Sequence, residues 1–179
     1  MVNQVMRVVL IVGAFLAAFF SMPRWMPRKW YRALLYGGKR PNALAKRLNS
    51  ANAWISGRGI GPSFLVSLET RGRKSGKILR VPMVVAELDS NQYLVSMLGE
   101  KADWVLNVRA AGGEAQLRHG GVEYIRLEEV PVADRAPILK VYLGRAPGAR
   151  PHFDIDPDAT VEQFARVARN YPVFRILRR

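Results

Sequence analysis

The sequence predicts an antiparallel α+β domain, about six strands closed as a barrel, with flanking helices and an N-terminal hydrophobic helix ahead of them. Three observations carry this. β-Branched-rich runs alternate with tight turns between Ser63 and Val130. A glycine pair, Gly120-Gly121, stands between two of those runs. Helical patterns are confined to the two ends and one short insertion. With 179 residues, 49% of them hydrophobic, one core fits and wholesale disorder does not.

The first element is Val8 to Phe20 (VVLIVGAFLAAFF), an unbroken apolar run. As a helix it covers about 20 Å, short of a hydrocarbon core of ~30 Å. Phe19-Phe20-Ser21 makes a poor signal-peptide cleavage site. Arg24, Arg28, Lys29 and Arg32 follow the run, interleaved with Trp25, Trp30 and Tyr31. Cations there hold the downstream chain in the cytoplasm, and the aromatics suit the membrane interface. Residues 1–37 are therefore expected to be a membrane-associating segment, whether spanning or lying on the surface. Residues 38–179 are expected to be the domain, on the cytoplasmic side of the cell membrane.

Pro41 to Ser56 places Leu44, Leu48, Ala51 and Ile55 at the spacing of an amphipathic helix, ended by Gly57, Gly59 and Gly61. The GRGIG stretch lies between a helix and a strand, the reverse of a dinucleotide loop, and reads as a connector. Strands follow at Ser63 to Thr70, Leu79 to Leu88 and Gln92 to Leu98, the last two joined by a turn at Asp89-Ser90-Asn91. Lys101 to Ala111 reads as a short helix with Trp104, Val105 and Val108 on one face. Glu114 to His119 and Val122 to Val130 form a hairpin across a two-residue turn. Helices at Ala133 to Leu143 and Ala159 to Asn170 precede a final strand, Val173 to Leu177.

Charge narrows the function. Lysine and arginine outnumber acids 28 to 14, a net +14. Ten cations, from Arg7 to Arg58, precede the first acid, Glu69. Such a field suits an anionic membrane, a nucleic acid or a phosphorylated small molecule. No zinc-finger spacing, aromatic RNA-binding strand or helix-turn-helix supports nucleic acid. The absence of cysteine removes disulfides, thiolate metal sites and thiol nucleophiles. His119 and His152 have no carboxylates at ligand spacing, so no metal is expected.

The strongest chemical signal is Thr70-Arg71-Gly72-Arg73-Lys74-Ser75-Gly76-Lys77, with Arg80 beyond it. Glycines let the turn aim backbone amides at one ligand, and Arg73, Lys74, Lys77 and Arg80 add charge-assisted donors. A phosphate site and a solvated basic hairpin both fit. A nucleotide P-loop does not, because its spacing and following helix are missing.

TRGRKSGKILRVPM, YLVSMLGEKADWVLNVRAAGG and the C-terminal YPVFRI resemble the deazaflavin (coenzyme F-420)-dependent nitroreductase family. The likeness runs from about residue 63 to the end. It implies a split β-barrel of about six mostly antiparallel strands, shared with flavin oxidoreductases, and a reduced deazaflavin rather than FMN as cofactor. It further implies that Arg73, Lys74, Ser75 and Gly76 bind the cofactor phosphate. Arg80, Val81 and Pro82 would flank the deazaflavin ring, and Ser96, Met97, Leu98 and Gly99 would lie against it. Trp104, Asn107 and Arg109 would close the pocket near the cofactor tail. Split barrels of this kind often form homodimers.

Such a cofactor carries the redox chemistry, so missing cysteines and metal motifs are no obstacle. The segment Val161 to Asn170, where some relatives place tyrosines, has Phe164 and none. Tyr142 and Tyr171 are the nearest candidate proton donors, and the catalytic residue stays unassigned. The expected activity is hydride transfer from reduced deazaflavin to a hydrophobic acceptor: a quinone, an unsaturated lipid or a nitro compound. The alternative is a non-catalytic barrel at the membrane that holds a lipid, haem or flavin.

Overall fold

The computed structural model describes residues 43–178. The apolar run at 8–20 and the expected 1–37 segment lie outside the described residues. Six strands form a closed antiparallel barrel: β1 (Leu65–Arg71), β2 (Ile78–Leu88), β3 (Asn91–Val95), β4 (Glu114–Arg118), β5 (Val122–Glu129) and β6 (Val173–Arg178). Around the barrel they run β1-β2-β3-β6-β5-β4, and β1 pairs with β4 to complete the ring. Four helices accompany them: α1 (Ala43–Gly57), α2 (Asp103–Ala110), α3 (Arg135–Arg145) and α4 (Val161–Val167). Among the described residues, no helix is long and apolar enough to cross a membrane.

Alternation along the strands builds the interior. Val66 and Leu68 of β1, Met83 and Val85 of β2, Leu94 of β3 and Phe174 of β6 point inward and are buried. α2 closes one end by inserting Trp104, Val105 and Val108, and Trp104 packs edge-on against Phe174 at 5.4 Å between ring centres. A second apolar layer lies outside the wall, where Leu139 and Leu143 of α3, Phe164 of α4 and Phe153 of the segment between them pack against Ala86, Val95 and Val173. α4 starts on a capping box between Thr160 and Gln163.

Three local expectations are corrected. β3 ends at Val95, not Leu98. There the Ser96 amide turns to the Pro172 carbonyl and the Ser96 hydroxyl bonds to Gly99 O, bending the chain out of the ladder. Gly99 has φ +81°, and a Cβ on it would lie 3.0 Å from Asn170 O, so only glycine fits this bend without strain. The β4–β5 turn has three residues rather than two, because Arg118 pairs with Val122. Gly120 donates its amide to Gly57 O, so the turn is also held by the end of α1. Finally, Ala51 of α1 is exposed, while Ala53 and Ser56 are buried. At Asp89-Ser90, by contrast, both residues take positive φ (49° and 63°), the two-residue turn that matches strand twist.

Candidate cofactor site

Antiparallel order places the β1–β2 loop, the segment after β3, α2 and the start of β6 at one end of the barrel. That end gathers the cofactor candidates. The basic loop is a closed turn: Gly72 N donates to Lys77 O and Gly76 N to Gly72 O, both at 2.8 Å. Gly72 is needed here, since a Cβ would meet Ser75 Oγ at 2.8 Å and Lys77 O at 3.1 Å. Ser75 Oγ accepts from Lys77 N at 3.3 Å, so its hydroxyl proton is left to a ligand.

Asn107 locks the loop to α2. Its buried Oδ1 accepts from Arg73 N at 3.2 Å and from Arg73 Nη1 at 2.9 Å. Its Nδ2 faces Thr70 Oγ1 at 3.4 Å. Arg73 also pairs with Asp103 at 3.3 Å. Arg73 thus orders the turn, and its charge is already partly met. Lys74 and Lys77 are exposed, and neither side chain has an ion pair or hydrogen bond among the described residues. These two lysines, with Arg71 at the strand end, are the cations left for an anion.

The other candidates divide. Arg80 Nε donates to the buried Glu69 at 2.7 Å, and Arg118 Nε lies 2.8 Å from the same oxygen, near enough for attraction but not aligned as a hydrogen bond. Val81 and Pro82 follow on β2, half-buried opposite Leu68 and Ser67. Ser96 and Gly99 are buried in the bend, and Met97 and Leu98 remain half-buried at its surface. Trp104 is a core residue, 6% exposed, and offers little face to a ligand.

Arg109 is engaged elsewhere. It binds Glu129 through two nitrogens at 2.6 and 2.8 Å and Glu100 at 2.7 Å. Hydrogen bonding to Glu129 raises its pKa above its already high ordinary value. The same bond, with the charges of Arg109 and Arg135, holds Glu129 below the usual carboxylate range. Arg135, buried at the start of α3, bonds to Glu129 at 2.9 Å and Val130 O at 2.8 Å. This cluster ties the bend after β3, α2, β5 and α3 together.

Neither tyrosine candidate faces this end as a proton donor. Tyr142 is 4% exposed within the outer apolar layer. Tyr171 stacks on Phe153 at 3.9 Å, donates its hydroxyl to His152 O and accepts from Asp154 N. Phe164 is fully buried. Asp103 and Thr70, which hold the loop in shape, were not among the sequence candidates; Asp103 opens the helix that bears Asn107, which was the available signal. Among the described residues, no cluster of three metal-ligating side chains occurs.

No curated protein matches the chain significantly. A solved F420-H2 dependent reductase is 21% identical over 63% of this chain and 93% of its own, with a TM-score of 0.44. A structure described as a domain-swapped dimer is 18% identical over 84% and 99%, at 0.46. A conserved hypothetical protein from Mycobacterium tuberculosis is 16% identical over 69% and 78%, at 0.44. The family profile of the F420H(2)-dependent quinone reductases matches residues 43–137, from α1 through the basic loop, α2 and the first turn of α3. With just over half of its length inside that match, the chain belongs to the F420H(2)-dependent quinone reductase family and is an oxidoreductase that uses a reduced deazaflavin.

Proposed function

We propose that the end of the barrel bearing the basic loop holds the deazaflavin, and that the acceptor is a hydrophobic molecule met at a membrane surface, foremost a quinone. The observation that carries this reading is the pair Lys74 and Lys77. They stand beside a turn ordered by Asn107, while the neighbouring Arg73, Arg80 and Arg109 already have carboxylate partners. A phosphate takes up two unpaired ammonium groups, the Ser75 hydroxyl and backbone amides of the turn without disturbing those pairs. The residues fit a phosphorylated cofactor.

When bound, the reduced deazaflavin supplies the hydride. The protein's part is position and dryness. Lys74, Lys77 and Ser75 anchor the anionic portion, and Val81, Pro82, Met97 and Leu98 provide an apolar border that excludes water beside it. No tyrosine among Tyr142 and Tyr171 is placed to deliver a proton there. A quinone suits such a site because its reduced oxygens can take protons from solvent at an open edge.

The N-terminal run followed by four cations would hold this domain against the cytoplasmic face of an anionic membrane, where lipid-soluble acceptors are concentrated. The test has two parts. Full-length protein is titrated with reduced and oxidised deazaflavin and with FMN, expecting tight binding of the deazaflavin alone. Oxidation of the reduced cofactor is then compared with a lipid quinone, an unsaturated fatty acyl acceptor and a water-soluble nitroaromatic. Faster turnover of the nitroaromatic than of both lipids would overturn the acceptor assignment. Failure to float with anionic vesicles would overturn the membrane assignment.

A further inference from the structure

Among the described residues, the second end of the barrel is open. Opposite the basic loop, a cavity of about 420 Å³ lies between the start of β1, the end of β2 and the β4–β5 turn, within the range that small-molecule sites occupy. β1 separates the two ends by about 20 Å at the rise of an extended strand. Val66, Val85 and Leu117 form the floor. Beneath them Leu68 and Leu94 are fully buried, so the cavity ends on packed core and no tunnel continues.

The rim is charged, but its charges are unequally satisfied. Arg178 is bonded to Glu123 at 2.6 Å and to Gln92 at 2.7 Å. Arg145, at the end of α3, stands over the Phe64 ring at 4.5 Å from its centroid. Its nearest carboxylate oxygen, on Glu87, is 4.0 Å away, beyond hydrogen-bond distance. Among the described residues the Arg145 guanidinium has no hydrogen bond, although its side chain is only 35% exposed. A half-buried fork of donors above an apolar floor is a receptor for one planar anion. A polyanion does not fit, because Glu87 and Glu123 also line the rim. A long alkyl chain does not fit the closed floor.

We propose that this mouth binds a compact amphipathic carboxylate of aromatic-acid size, with its ring on Phe64, Val66, Val85 and Leu117 and its carboxylate on Arg145. This site is separate from the cofactor end and needs no deazaflavin. The probe is 2-naphthoate, compared with the neutral 2-naphthamide, titrated into full-length protein and followed by calorimetry and by shifts of the His119 ring protons. Wild type should bind the acid, and Arg145→Gln should weaken it roughly ten-fold or more while leaving the amide unchanged. Glu87→Gln removes the competing carboxylate and should tighten the acid several-fold, a gain that damaged folding cannot imitate. Lys74→Ala should change nothing here. No binding of naphthoate by wild type, equal binding by Arg145→Gln, or loss of binding in Lys74→Ala would each overturn the proposal, as would looser binding in Glu87→Gln.

Discussion

The end of the barrel that carries the basic loop holds two groups of cations a few residues apart in the fold, and they are used in opposite ways. Arg109 and Arg135 share Glu129 and reach toward Glu100, drawing four segments together with every charge answered inside the protein. Lys74 and Lys77 project from a turn closed by the Gly72, Gly76 and Lys77 amides, so the frame is settled while the charge is not. Burial decides the difference for Arg135, which is 4% exposed, while Arg109 is an exposed side chain held by two carboxylates. A desolvated guanidinium without a carboxylate would be very costly, whereas an exposed ammonium tolerates solitude until an anion arrives. The first group contributes stability, and the second is left to meet an anion.

The most direct way to break this contrast is Arg135→Ala. Removing one partner leaves Glu129 and the Val130 carbonyl short of a buried donor, and should cost about 3–5 kcal/mol. For a domain of this size that lowers Tm by roughly 6–20 °C in a thermal melt. A variant that melts with wild type would show that the cluster is ornamental.

Lys74→Ala should behave in reverse. Affinity for deazaflavin should fall by roughly ten- to a hundred-fold, from one lost charge-assisted contact of ~1.5–3 kcal/mol, while stability stays within about 0.5 kcal/mol. Asn107→Ala should sit between the two, losing ~1–2 kcal/mol of stability and some affinity as the turn loosens. Calorimetric titration paired with urea melts reads both axes; Lys74→Ala binding as tightly as wild type would remove the loop from the site.

A smaller effect sharpens the assignment of roles. Tyr171→Phe should lose about 1 kcal/mol, from the hydroxyl bonds to His152 O and Asp154 N, and leave kcat within two-fold of roughly its wild-type value. A drop in kcat of about a hundred-fold at unchanged KM would instead make Tyr171 a proton donor.

The finest reading is pH. Glu129 has a depressed folded pKa, so its contribution is complete above the ordinary carboxylate value of 4.5 and is lost as pH falls through the lower folded value. Glu129→Gln should therefore be less stable than wild type at neutral pH, and the two denaturation curves should converge once pH falls below the depressed folded value. A gap that persists into strong acid would mean that shape rather than charge makes the Glu129 contribution.

Much of the architecture is legible in the sequence because it rests on local signals. All six strands and all four helices of the described region appear in their places from periodicity and turn residues alone. Where the reading slipped, a longer-range contact had taken over. Met97 and Leu98 look like strand, yet the Pro172 carbonyl captures the Ser96 amide from across the barrel end. Gly120-Gly121 looks like a two-residue turn, yet docking on Gly57 gives it three. Pairing of arginines was illegible for the same reason. Asp103 lies 30 positions from Arg73 and Glu129 lies 20 from Arg109, so no local spacing marks which cation already has a partner. The open mouth had no linear motif at all, since Phe64, Glu87, Leu117 and Arg145 meet only when the sheet closes.

That closure has a consequence for association. Each of the six strands has a neighbour on both sides over part of its length, but the pairing of β2 with β3 stops at Val85, so residues 78–84 are bonded to β1 alone. Among the described residues, the outer face of β5, where Tyr124 is 64% exposed and Val122 43%, offers apolar ground for side-chain contact between two copies. The closed ring thus leaves little strand edge along which copies could add to one another, strand upon strand, as in a fibre.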